Sequence, residues 1–272
     1  ALENRLGLER QQRAARRNLI DFACYVDRGI DRDKPVAYWY QAEHLAKRIA
    51  PVLELIERGE LKRVILNVPL RHWKSSLASE KFPEWWLGRN PKDTVIGASY
   101  AASLAEKYSQ SVRDTIAKNE HYRALFPGTR LRRDSESKTD WALETSHRGA
   151  YRAIGVGGGI AGYPANLIVI DDPNDPNKAE SRAETDAVWR WYKNDIRGRA
   201  EAWTAIVIVQ NRTGENDLTG WLLDPARNDS ADPPKDWHAV TIPAEDGNGV
   251  YLWEDRFGRE FYDKIKRDPY FW

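Results

Sequence analysis

The chain has 272 residues, enough for one large core or two modest domains, and its 41% hydrophobic content is that of a folded protein rather than a disordered one. Its 42 basic and 41 acidic residues nearly cancel, so contact with a polyanion has to come from local clusters and not from the whole surface. The lone Cys24 excludes an internal disulfide and fits a reducing cytoplasm, and no apolar run approaches the ~20 residues that span a bilayer, so the chain reads as soluble, without a membrane partner.

The chain opens on Ala1 and contains no methionine, which points either to removal of the initiator or to a place within a longer gene product. Residues 1–20 are polar and Arg-rich, with Leu and Ala at helical spacing; Arg13, Arg16 and Arg17 read as a solvated helix face, with DNA contact as the alternative. Residues 41–58 repeat apolar positions at helical intervals, with Pro51 as a kink or break and Gly59 as the stop. "RVILNV" (63–68) is a short β-branched run without alternation, which predicts a buried strand. "TVIGASY" (94–100) predicts a second strand, and residues 101–119 an amphipathic helix. "WALETS" and "YRAIGV", around the turn-forming Gly149, predict a hairpin. The glycine-rich turn "GGGIAG" leads to a third buried strand, "NLIVI", that ends in Asp171 and Asp172. A helix rich in Trp and charge is expected over 179–198, and "WTAIVIV" (203–209) is a fourth buried strand.

Buried strands alternating with helices predict an α/β fold with a mainly parallel central sheet flanked by helices. Ligands in such folds bind at the carboxyl ends of the strands. Three of the four strands end in polar groups: Pro69 to Ser76, Asp171 with Asp172, and Gln210 to Arg212. Residues far apart in the chain would therefore meet along one edge.

A strand-loop-helix binds phosphate through backbone N–H groups, the positive end of a helix and a cation. "PLRHWKSS" can supply all three. The loop positions Arg71, His72, Trp73, Lys74, Ser75 and Ser76 would surround a nucleotide, Lys74 reaching the β- and γ-phosphates of ATP and Ser75 placing its hydroxyl on Mg²⁺. Both glycines of the usual phosphate-loop pattern are missing, with Val68 and Trp73 in their places. "LIVIDD" has the form of a Walker B strand, in which Asp171 steers the Mg²⁺ shell and Asp172 orients or deprotonates the attacking water. Taken separately, a Lys-Ser pair is common and Asp-Asp-Pro is an ordinary strand-ending turn; together, in this order, they favour a nucleotide site.

"NVPLRHWKSS", "TVIGASY", "GVGGGIAGYPANLIVIDDP", "VIVQNRTGENDLTGWLL" and "LWEDRFGREFYDKIKRDPYFW" resemble, in that order, the large subunit of the terminase that packages DNA into tailed-phage heads. The resemblance runs from about residue 35 to the end. It departs from the family at Leu70, where a second proline is usual, and at Trp73, where glycine is frequent but larger apolar residues also occur. It implies a P-loop ATPase of the additional-strand, catalytic-glutamate class, a motor that drives double-stranded DNA into the procapsid. The implied partners are the portal protein, the terminase small subunit and further copies in a ring, and the implied location is the cytoplasm of the infected bacterial host, docked at the portal. It assigns Lys74 to the phosphates, Ser75 and Asp171 to the metal, and Asp172 to the place of the catalytic glutamate. Arg71 would stabilise charge on the γ-phosphoryl group, in its own subunit or a neighbour's. Gln210 and Arg212 would sense the γ-phosphate, although Asn-Arg-Thr-Gly alone is an ordinary turn. Tyr38, Gln41 and His44 stand where relatives meet the adenine, with core packing as the alternative.

Residues 1–34 read as an N-terminal helical extension, 35–240 as the ATPase domain and 241–272 as the start of a linker to a nuclease domain that this chain does not include. No separated carboxylate set follows residue 212, so no DNA cleavage is expected. The tryptophans of "KFPEWWLG" and "VWRWY" are expected to pack, because duplex DNA offers phosphates and not base faces. Arg130, Arg132 and Arg133 are the better DNA candidates, against a solvated surface. The rival readings are a nucleotide- or DNA-binding module that does not hydrolyse ATP, and a small-molecule kinase with a degenerate loop.

Overall fold

The computed structural model describes residues 2–28, 37–135, 137–145, 150–160, 162–228 and 233–267. The Arg-rich start folds as α1 (Leu2–Arg17) and α2 (Leu19–Val26), with Asn18 between them capping α2 by accepting the Asp21 amide. Arg13, Arg16 and Arg17 form the exposed face expected of α1. Helix α2 is buried along its length, and its Leu19, Phe22, Ala23 and Val26 join the cluster that covers one face of the sheet.

After α3 (Ala37–Gln41), a helical stretch passes through a π-type turn, Leu45–Ile49, into α4 (Ala50–Glu57). Pro51, expected to kink or break this stretch, sits in the first turn of α4 directly after the widened turn, which accommodates its ring and missing N–H. Gly59, at φ 74°, ends α4 as predicted: its N–H reaches the Ile56 carbonyl and that of Glu60 reaches Leu55.

The loop after β1 (Arg63–Asn67) enters a helix that widens at Ser76–Lys81 and continues as α5 (Phe82–Arg89), where Pro83 follows a π-type turn in the same way. There follow β2 (Val95–Ser99), α6 (Ala102–Lys118) and α7 (Glu120–Leu125). The predicted hairpin is present as β3 (Asp140–Trp141) antiparallel to β4 (Tyr151–Gly155), with the rings of Trp141 and Tyr151 stacked 5.3 Å apart. Its first strand is only two residues long, and residues 146–149 of its turn lie outside the described residues. The remaining elements are β5 (Leu167–Asp171), α8 (Arg182–Trp191), β6 (Ala205–Gln210), α9 (Leu218–Leu223), β7 (His238–Thr241) and α10 (Glu254–Ile265). The expected helix over 179–198 thus starts at Arg182, and past Trp191 it loosens into a π-type turn, Tyr192–Ile196.

The sheet has the order β3-β4-β2-β5-β6-β1-β7, and every pairing except β3 with β4 is parallel. Successive side chains of a strand point to opposite faces, and here both faces are covered. Leu167 and Val169 of β5 join the cluster containing α2, α4 and α5, whereas Ile168 and Ile170 join the cluster of α8 and α9. That double burial is why the strands read as unbroken apolar runs. It also puts Asp171 on the face of the helix that follows the 69–76 loop. The tryptophans pack as expected: Trp85, Trp86, Trp189 and Trp191 are all buried.

Candidate nucleotide site

The carboxyl ends of β1, β5 and β6 lie side by side, because β1 pairs with β6 and β6 with β5. The 69–76 loop leaves β1 and starts a helix at Lys74, so Lys74 and Ser75 sit in a helical first turn at the rim of the sheet. Ser75 Oγ donates to Asp171 Oδ1 at 3.0 Å, and Ser79, one turn further on, donates to Oδ2. Lys74 Nζ donates to Asp172 Oδ2 at 2.6 Å, and the Asn211 amide at the end of β6 donates to Oδ1 at 2.8 Å. The ends of β1 and β6 therefore converge on the two adjacent acids at the end of β5.

Asp172 continues the strand by its backbone, accepting from Tyr100 N–H and donating to the Val209 carbonyl. Its φ of 41° puts it in the left-handed region just past the end of β5, and the neighbouring carboxylates face different partners. Asp171 is 1% exposed. Burial is the main cause that pushes its carboxyl up, to about 6; Lys74 and the Ser79 and Ser75 hydroxyls pull it down, while Asp172 adds to the rise. The Tyr108 hydroxyl, also pushed up by burial, hydrogen-bonds to Ser75.

The loop itself holds two residues in the left-handed region, Arg71 at φ 66° and Trp73 at φ 59°. That region favours glycine, and position 73 is where phosphate loops have one. The Trp73 ring lies 5.3 Å from Trp39 and 5.1 Å from Trp253, with the Arg256 guanidinium 4.5 Å from its centre. Its indole is thus engaged by an aromatic wall of the protein.

The other expected residues are placed less uniformly. Arg71 is exposed and lies over the Phe261 ring at 5.9 Å. His72 is 1% exposed and its imidazole contacts Tyr262 and Leu70, so what it offers a ligand is backbone. Ser76 begins the widened turn. Arg212 Nε donates to Asp217 at 2.7 Å, closing the 211–217 loop, and beside it a cleft of about 520 Å³ is bounded by Leu70, Tyr100, Leu104, Asp172 and Asn211. Gln210 is buried, and among the described residues neither its amide oxygen nor its nitrogen has a hydrogen-bond partner. His44 is buried and bonds through Nε2 to the His72 carbonyl at 3.0 Å; Gln41 is exposed at the end of α3; the Tyr38 side chain lies outside the described residues. Arg130, Arg132 and Arg133 are exposed, and Arg130 and Arg133 line a separate cleft of about 440 Å³.

The sequence reading missed Ser79, Tyr108, Asn211 and Tyr262. Ser79 had a signal, since it lies four residues beyond Ser75 and so one helical turn away. The rest come together only in three dimensions.

The donor set suits Mg²⁺. Among the described residues no group of three or more His, Cys, Asp or Glu side chains could hold a metal, but Mg²⁺ bound with a nucleotide needs only one or two protein oxygens beside phosphates and water. Asp171 and the Ser75 hydroxyl are hard oxygens already 3.0 Å apart, and the buried Ser99 Oγ, in register with Asp171 on the next strand, has no partner among the described residues.

The strand carrying the lysine loop and the strand ending in Asp171 are separated by one inserted strand, β6. With helices on both faces, this is the fold of a P-loop NTPase of the additional-strand class. A large-terminase ATPase domain from Thermus phage P74-26 has a similar fold, with a TM-score of 0.50 at 13% identity over 80% of this chain and 87% of that one. The large terminase of bacteriophage HK97 matches 82% of this chain at 15% identity with a TM-score of 0.47, and the chain spans 48% of that protein's length. No protein-family model matches the chain, and no curated protein matches it in sequence. The fold implied by the terminase resemblance is the fold observed.

Proposed function

We propose that the chain is the ATP-hydrolysing motor domain of a phage terminase large subunit, working on double-stranded DNA at the procapsid portal. One observation carries the reading: Lys74 and Ser75 contact the adjacent acids Asp172 and Asp171, at 2.6 and 3.0 Å, along one rim of a P-loop NTPase sheet. The terminase resemblance of five sequence blocks and the fold similarity to a terminase ATPase domain support the choice of motor.

In this reading Lys74 exchanges Asp172 for the β- and γ-phosphates of ATP and neutralises charge there. Asp172, held by the Asn211 amide, accepts a proton from the attacking water. The water oxygen bonds to the γ-phosphorus, the bond to the β–γ bridging oxygen breaks, and ADP and inorganic phosphate leave. Ser75 and Asp171 would hold Mg²⁺, which screens the phosphate charges when bound. Arg71, exposed on the loop, is the residue we assign to the γ-phosphoryl charge, in its own subunit or the next one of a ring. Gln210 and Arg212 are assigned to sensing, Gln41 and His44 to the adenine side, and the portal and small subunit remain the proposed partners.

Phosphate release from Mg²⁺-ATP tests this. Turnover is expected from the wild type, at most a trace from Lys74→Ala and Asp172→Asn, and none once the metal is chelated. Unchanged turnover in both variants would refute the site. Tight ATP binding without turnover, even with procapsids and DNA present, would instead favour a binding module.

A further inference from the structure

A phosphate loop with two non-glycine residues at positive φ does not hold its shape by itself. Both are held from the same side. The Trp253 N–H donates to the Tyr262 hydroxyl at 3.0 Å, and that hydroxyl donates to His72 Nε2 at 2.7 Å. His72 Nδ1–H donates back to the Leu70 carbonyl at 2.7 Å, and His44 Nε2–H to the His72 carbonyl at 3.0 Å. The carbonyl on Nδ1 requires the proton there, so Nε2 is the acceptor and the relay runs one way. Tyr262 is fully buried and His72 nearly so.

The rings follow the same pattern. Trp253 meets Trp73 edge-on, Phe257 lies 5.3 Å from His72, Arg256 covers Trp73, and Phe261 lies under Arg71. The segment is itself stiffened by stacking of Tyr251 on Tyr262 at 4.4 Å. Each of the loop's three central residues, Arg71, His72 and Trp73, thus touches residues 253–262, some 190 positions away in the chain.

We propose that the aromatic segment 251–262 is a positioning element for the nucleotide loop: through Tyr262, Trp253 and Phe257 it imposes the left-handed turns that glycine would otherwise allow. This rests on the nucleotide reading of the loop. Tyr262 and Trp253 are positioning residues, since their contacts are with His72 and Trp73 and not with the acids. Burial also holds the His72 imidazole down, to about 4, which keeps it neutral and able to accept from Tyr262.

The test uses the full chain and four substitutions, Tyr262→Phe, Lys74→Ala, Trp73→Gly as a background and, as a control that removes a hydroxyl bonded elsewhere, Tyr163→Phe. ATP affinity is measured by calorimetry, and amide hydrogen exchange over residues 70–76 without nucleotide. Tyr262→Phe is expected to weaken ATP by about fivefold, the value of one hydrogen bond, and to speed loop exchange at least as much, whereas Tyr163→Phe changes neither. With Trp73→Gly as background the loss from Tyr262→Phe should shrink to about half or less, because glycine needs less support at positive φ. Unchanged exchange and affinity in Tyr262→Phe, with binding abolished by Lys74→Ala, would overturn the positioning role. If Lys74→Ala leaves ATP affinity intact, the nucleotide reading fails instead, and the exchange of residues 70–76 still decides whether the segment shapes the loop.

Discussion

Lys74 Nζ and Asp172 Oδ2 are 2.6 Å apart, an ion pair between the end of the β1 loop and the end of β5, with the lysine side chain 6% exposed and the aspartate 23%. The ammonium assigned to phosphate is therefore neutralised by the carboxylate assigned to water. Asp172→Asn releases that ammonium while keeping a side chain that can accept the Asn211 amide. We predict that this variant binds ATP as tightly as the wild type or more so, while turnover falls by roughly 10²–10⁴-fold. Calorimetry beside steady-state phosphate release separates the two effects. Weaker binding would show that Lys74 does not move from acid to phosphate.

Asp171 gives a pH dependence. Its carboxyl titrates at about 6 instead of 3.8. A raised value in the folded state means that its stabilising contribution is complete below about 4 and is lost as pH rises through about 6. Metal binding needs the opposite, ionised form. Turnover at fixed Mg²⁺ should therefore drop as pH falls through about 6, and higher Mg²⁺ should push that limb to lower pH. A limb indifferent to Mg²⁺ would remove Asp171 from the metal.

Trp73 reverses an ordinary ranking. Alanine keeps the penalty of positive φ and loses the indole contacts; glycine loses the contacts but also the penalty. Trp73→Gly should be more stable than Trp73→Ala by about 1 kcal/mol, measured by urea unfolding. Equal or inverted stabilities would mean that residue 73 does not hold this conformation in solution.

How much of this was legible follows from the range of each signal. The strands could be read because burial on both faces makes "RVILN", "LIVID" and "AIVIVQ" continuous apolar runs. The convergence of Lys74, Ser75, Asp171 and Asp172 could be read because they follow strand ends, which periodicity locates. The π-type turns at 45–49 and 76–81 could not, since Pro51 and Pro83 mark a disturbed helix without saying whether it breaks or widens. Tyr262 on His72 was invisible because the two lie 190 residues apart, in separate sequence blocks with nothing in either to pair them.

Lys81 is a second buried cation that no motif announced. It lies 2.7 Å from Asp27 and 3.1 Å from Glu84, whose other oxygen accepts from Thr115. Burial pushes the Glu84 carboxyl up to about 7, with Lys81 opposing. Lys81→Met would leave two acids without their cation and should cost about 3–5 kcal/mol at pH 8. The loss should be smaller near pH 5.5, where a raised carboxyl takes up a proton. Denaturant midpoints at the two pH values check this.

Gln210 is the reverse case, a buried amide that makes no hydrogen bond among the described residues. Removing such a group stabilises, so Gln210→Leu should add about 1 kcal/mol to the unfolding free energy. If the amide senses the γ-phosphate, the same variant loses turnover as it gains stability. A variant that is more stable and fully active would make Gln210 a packing residue.

The backbone of Asp172 is tied to the tips of both neighbouring strands, to Tyr100 on one side and Val209 on the other, while its carboxylate holds Lys74 and the Asn211 amide. A displacement of any one of these attachments acts directly on Asp172, with no intervening residue. In the proposed motor, Asp172 would thus couple the phosphate end of the site to the 211–217 loop through hydrogen bonds along the rim of the sheet, and not through the hydrophobic interior.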